Sequence, residues 1–82
     1  MSYRVELGGL ALAKMKGFPD EALTALVART AYLVREPWDA HVVDPSRTDL
    51  RQTTFGDGVG IMWFRVDEAA ELITIYDLVW AG

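Results

Sequence analysis

Asp49-Leu50-Arg51-Gln52-Thr53-Thr54-Phe55-Gly56-Asp57-Gly58, then Val59-Gly60-Ile61-Met62-Trp63-Phe64-Arg65-Val66, then Leu72-Ile73-Thr74-Ile75-Tyr76-Asp77-Leu78-Val79-Trp80, fill most of the second half of the chain. These runs are rich in β-branched and aromatic residues, which suit a pleated, half-buried surface. The spacing predicts strands over Leu50–Phe55, Val59–Val66 and Leu72–Trp80. Gly56-Asp57-Gly58 makes a tight first link, because glycine takes positive φ without a Cβ clash. Residues Asp67 through Glu71 form the second link. Three consecutive strands joined this closely predict an antiparallel meander with one face packed on helices.

Upstream, Tyr3-Arg4-Val5-Glu6-Leu7 alternates apolar and charged residues like a half-buried strand. Leu10 to Lys16 reads as a short helix with Leu12 and Met15 inward and Lys14 and Lys16 outward, stopped by Gly17. Pro19, Asp20 and Glu21 are a helix start. Leu23, Leu26, Val27, Thr30, Leu33 and Val34 would share its apolar face. Pro37 should end that helix near Arg35 or Glu36. Trp38 to Asp49, with Pro45, Ser46 and three aspartates, reads as a loop. The expected fold is one α+β domain over residues 1–82, ordered β-α-α-β-β-β. A mainly antiparallel four-stranded sheet would carry a helical hairpin on one face.

Composition narrows the chemistry. The 82 residues are 51% hydrophobic, enough for a packed core but with a narrow stability margin. There is no cysteine and one histidine, so neither a disulfide framework nor a thiolate or histidine-based zinc site is expected. No cofactor is indicated. No apolar run reaches the roughly 18–20 residues that span a bilayer. The opening residues lack a signal-peptide pattern, so a cytoplasmic protein with no membrane partner is expected. A net charge of −4 gives no global attraction to nucleic acid.

Arg47 and Arg51 could grip phosphates through bidentate contacts. They could equally be surface arginines paired with Asp44, Asp49 or Asp57, the commoner arrangement. Lys14 and Lys16 add a second basic spot or a solvated face. His41, the only side chain with a reference pKa near neutrality, is the default acid–base candidate. Strict alternation would put Tyr76 and Asp77 on opposite faces, with Tyr76 sharing Trp80's face. Asp77 then either stands on a partly solvated face or pairs with an arginine such as Arg51 or Arg65. Trp38, Trp63 and Trp80 could stack on bases or fill a core. A terminal strand ending in Val79-Trp80, if it were a sheet edge, would suit a protein partner.

Several short patterns resemble the RelE/ParE toxin superfamily of type II toxin–antitoxin pairs. They are Tyr3-Arg4-Val5, Phe18-Pro19-Asp20-Glu21-Ala22, Glu36-Pro37, Leu50-Arg51, Phe55-Gly56-Asp57-Gly58 and Phe64-Arg65-Val66-Asp67-Glu68. The resemblance implies a ribosome-dependent, metal-independent mRNA endoribonuclease. Arg51, His41 and Tyr76 would be its catalytic candidates, and Arg47, Arg51, Lys14 and Lys16 would contact RNA. The family's arginine early in the second meander strand is replaced by Gly60-Ile61, and its usual tyrosine by Phe64. The sequence ends at Gly82 without the family's basic C-terminal extension. Each missing transition-state donor can cost about 3–4 kcal/mol, so weakened or lost cleavage is expected. The alternative is a non-catalytic domain of the same fold that contacts an antitoxin, gyrase or a second copy of itself.

Overall fold

A computed structural model describes residues 2–82; Met1 lies outside them. The elements are β1 (Arg4–Leu7), α1 (Gly9–Met15), α2 (Asp20–Leu33), β2 (His41–Asp44), β3 (Arg47–Phe55), β4 (Gly60–Asp67) and β5 (Leu72–Trp80). Asp20 and Glu21 occupy the first turn of α2, where acidic groups complement the positive end of the dipole. The helix stops at Leu33, earlier than expected. The amides of Val34 and Glu36 bond back to Thr30 and Tyr32, and buried Pro37 turns the chain toward β2.

The meander forms as its sequence predicts, with β3, β4 and β5 antiparallel neighbours. The sheet has five strands rather than four, in the order β1-β5-β4-β3-β2. The extra strand comes from the segment read as a loop. His41–Asp44 pairs antiparallel with β3, and Asp44 itself makes the turn. Its Oδ1 accepts from the Ser46 amide at 2.9 Å and hydroxyl at 2.8 Å. β1 pairs parallel with β5, so the sheet is mixed and the last strand is interior. Its edge strands are therefore β1 and β2, not the strand ending at Trp80.

One core lies between the helices and one sheet face. Phe64, Met62, Ile73, Ile75, Leu78 and Leu33 are fully buried there. Burying a side chain of this size stabilises the fold by about 1.5–3 kcal/mol. The helix faces differ from expectation. Ala11, not Leu12, is the buried residue of α1, while Ala22, Leu26 and Leu33 are buried on α2. Val27 is 66% exposed. At the open end of the core, Phe55 stacks on Trp80 at 5.6 Å and on Phe18 at 6.4 Å. The Gly56-Asp57-Gly58 turn runs through three positive φ angles. A Cβ on Gly56 would lie 2.6 Å from the Trp80 ring, so both conformation and space require glycine there.

Candidate functional site

The sheet face away from the helices is left uncovered. Cross-strand partners share a face, so the register arranges it in rows. One row runs His41–Gln52–Trp63–Asp77 across β2, β3, β4 and β5. The row on one side is Thr54–Ile61–Val79. On the other side lies Leu50–Arg65–Thr74–Glu6, followed by Asp67–Leu72–Arg4. Leu50, Ile61, Trp63 and Leu72 are only partly buried, giving the face an apolar, aromatic centre. Of its two arginines, Arg65 is held by Asp49 at 3.2 Å and Asp67 at 4.0 Å, while Arg4 lies exposed on β1 with no described carboxylate at ion-pair distance.

Arg51 is paired in register with buried Phe64 and therefore points to the helix side. Its Nε donates to the Thr48 carbonyl at 2.8 Å, and its Nη1 to those of Ala40 at 3.1 Å and Trp38 at 3.3 Å. The guanidinium sits 4.9 Å from the Trp38 ring centroid. Arg51 thus fastens the α2–β2 connection to β3. Arg51→Ala is expected to cost about 1–3 kcal/mol of stability, by the usual worth of charged hydrogen bonds. Urea denaturation checks this; an unchanged midpoint would remove the fastening role.

Arg47 grips Asp49 with two 3.0 Å hydrogen bonds, the carboxylate pairing considered from the sequence. Hydrogen bonding to Arg47, reinforced by Arg65, lowers the Asp49 pKa to about 2. A folded pKa below the unfolded value means stability that is complete above about pH 4 and lost as pH falls toward 2. An NMR titration should place the Asp49 carboxyl midpoint near pH 2 in low salt. Added salt should move it upward, because the pair is solvent-accessible. A midpoint near 4 in low salt would mean the pair does not form in solution.

His41 lies on the edge strand beside Gln52. Tyr76 falls at a β-bulge: Trp63 pairs with Asp77 and Phe64 with Ile75, leaving Tyr76 without a partner across β4. The extra residue corrects the simple alternation. Tyr76 and Asp77 both leave the core side, while Leu78 and Trp80 return to it. Asp77 pairs with Lys14 at 2.7 Å instead of with an arginine, and this contact holds its carboxyl below the ordinary range. Desolvation, then the neighbouring Asp77 charge, push the Tyr76 phenol upward. At neutral pH it is therefore a proton donor, not a base. His41 and Tyr76 are three strand spacings apart, roughly 14 Å, too far to flank one phosphate. Lys16 lies exposed just beyond α1. The candidates are thus spread over both sides of the sheet, from edge strand β2 to interior strand β5, and onto α1.

Two residues were not singled out from the sequence. Gln52 joins His41 to Trp63 only through register. Arg29 shares a helical stripe with Ala22, Leu26 and Leu33, and its signal was a charge on an apolar stripe. Among the described residues, no three His, Cys, Asp or Glu side chains gather as a metal set. No described helix is long and apolar enough to cross a membrane.

A helical hairpin over a mixed sheet, with its meander face left bare, defines a compact α+β class of small proteins. Solved structures with this arrangement are RelE toxins. The Mycobacterium tuberculosis toxin–antitoxin complex RelBE2 matches with a TM-score of 0.84 and 18% identity, covering 98% of this chain and 99% of that one. An Escherichia coli RelE double mutant, in complex with a RelB antitoxin peptide, gives 0.82 at 11% identity over 100% and 86%. The archaeal RelE–RelB complex from Pyrococcus horikoshii gives 0.72 at 18% identity over 100% and 98%. The chain has the RelE-type fold. No family model matches its sequence, and no curated protein matches it.

Proposed function

We propose that this chain is the toxin-type member of a cytoplasmic toxin–antitoxin pair and acts through protein contact rather than RNA cleavage. In this reading, the open sheet face receives a segment of an antitoxin-type protein. The observation that carries it is the make-up of that face. Leu50, Ile61, Trp63 and Leu72 form an apolar centre, Arg65 is already held by Asp49 and Asp67, and Arg4 alone of the face's arginines, out on edge strand β1, has no described carboxylate partner. An aromatic centre with a charged rim suits a protein partner. A polyphosphate needs uncommitted cations. The RelE neighbours solved with RelB antitoxins support a partner of that kind.

The test is co-purification with the protein encoded in the adjacent reading frame. Trp63→Ala should weaken that complex about 30-fold, as loss of a central aromatic contact does. Unchanged affinity would sink the assignment of this face. A second reading keeps RNA cleavage, because the shared row sets the His41 imidazole one strand from Gln52 and two from the Trp63 indole. There a base could stack on Trp63 and His41 could move a proton. Arg47 and Arg51 would first have to leave Asp49 and the three carbonyls. Primer extension on ribosome-bound mRNA decides between the readings. Cleavage by the wild type that His41→Ala abolishes, with antitoxin binding retained, would favour the enzyme.

A further inference from the structure

Arg29 is a part-buried cation without a counter-ion. Its Nη2 donates to Thr53 Oγ1 at 2.7 Å and to the Asp39 carbonyl at 3.3 Å. Its Nε is buried with no acceptor, and its guanidinium lies 4.9 Å from the Tyr32 ring centroid. The nearby Asp39 carboxylate is occupied by the Tyr32 hydroxyl. No described carboxylate is within ion-pair distance of Arg29. Holding a part-buried charge without a counter-ion, and its Nε without an acceptor, costs free energy that an incoming anion would offset.

Two clefts meet at Arg29 and Thr54. One of about 570 Å³ has small Ala25 and Ala28 on its helix side, with Tyr32 and Asp57 among its walls. The other, about 390 Å³, continues past Trp38 and His41. Asp57 on the rim and a net charge of −4 oppose a polyanion but tolerate one carboxylate flanked by apolar groups.

We infer that the α2–β3 seam is a peptide-binding groove for an acidic–apolar segment of a protein partner, with one carboxylate on Arg29 and an apolar side chain over Ala25 and Ala28. This deepens the protein-contact reading above and rests on it for the partner's identity. The groove runs between α2 and β3 and reaches the sheet rim at Thr54 and His41, but Trp63 at the centre of the open face is not among its walls.

The test uses the folded chain, labelled for NMR, and two capped peptides, acetyl-Ala-Leu-Glu-Leu-Ala-amide and its Gln analogue. The Glu peptide should shift the Arg29 Nε–Hε signal and the Ala28 and Thr54 amides in a saturable way. The Gln peptide should bind at least about tenfold more weakly, having lost the charge-assisted contact. Ala28→Glu, at an exposed position beside the cleft, should also weaken Glu-peptide binding about tenfold with an unchanged unfolding midpoint. Equal binding of both peptides, or shifts mapping away from the seam, would overturn the groove. Tighter binding of an oligouridylate at the same signals would make it a nucleic-acid site and overturn it too. Trp63→Ala separates the two proposals. It should leave peptide binding intact while weakening the antitoxin-type complex, so either surface can fail alone.

Discussion

Gly60→Arg is expected to abolish cooperative folding, whereas Ile61→Arg, one residue further, is expected to leave the domain folded and give it affinity for RNA. Gly60 is buried, and a Cβ there would meet three atoms of the Phe55 ring at 2.5, 2.6 and 2.7 Å. The ring cannot easily yield, since it is 3% exposed and stacked between Trp80 and Phe18. Overpacking of this kind costs about 1–3 kcal/mol even for a small group. Burying a guanidinium adds several more, against a total stability of about 5–15 kcal/mol. Ile61 instead stands on the open face between Thr54 and Val79. An arginine there adds an uncommitted cation where the family resemblance implies one. Its affinity for a single-stranded oligonucleotide should fall with salt, with a slope steeper by about 0.7 per added phosphate contact. Circular dichroism during urea titration reads the first variant and salt-dependent anisotropy the second. A wild-type midpoint for Gly60→Arg, or no salt-dependent gain for Ile61→Arg, would refute the assignment of faces.

The meander was legible because its signals are local: β-branched runs, a glycine-rich turn and a short link. The β2 strand was not. Its two valines are too few to announce a strand, and Asp44-Pro45-Ser46-Arg47 carries the turn that made the whole segment look like a loop. The parallel pairing of β1 with β5 joins the two ends of the chain, and no local pattern reports such a contact. On α2, Leu26 and Leu33 of the expected face are buried, but Ala22 and part-buried Arg29 share their stripe and Val27 does not.

The candidate site was less legible because it depends on register. The sequence placed Arg51 at the start of the meander and His41 in the loop before it, but pairing with Phe64 turned Arg51 toward the helices. Pairing with Gln52 turned His41 toward the open face. The bulge at Tyr76 reversed the phase of β5 after Ile75, which moved Trp80 into the aromatic cluster. A bulge is a single extra residue among residues of ordinary strand composition, so periodicity could not reveal it. The acidic composition was informative in another way. Asp49 lies against Arg47 and Asp77 against Lys14, both candidates for RNA contact, and Asp67 lies against Arg65.

Phe64→Ala is the second large effect, expected to remove about 3–5 kcal/mol. Phe64 is fully buried, pairs with Arg51 on one side and Ile75 on the other, and sits beside the bulge. Its loss would leave a cavity where β4 is held by both neighbours. In a domain of this length the melting temperature should fall by about 4–8 °C per kcal/mol. The informative companion is Phe64→Tyr, which installs the residue that the resemblance implies. Because the side chain faces the core, the new hydroxyl would be buried, at a cost of about 1–3 kcal/mol without a partner. It would add nothing to the open face. Calorimetry should therefore show a destabilised domain, and primer extension should show no gain in mRNA cleavage. If Phe64→Tyr were as stable as the wild type and cut RNA, the ring would have to lie on the solvent side of the sheet, and the register linking Arg51, Phe64 and Ile75 would be wrong.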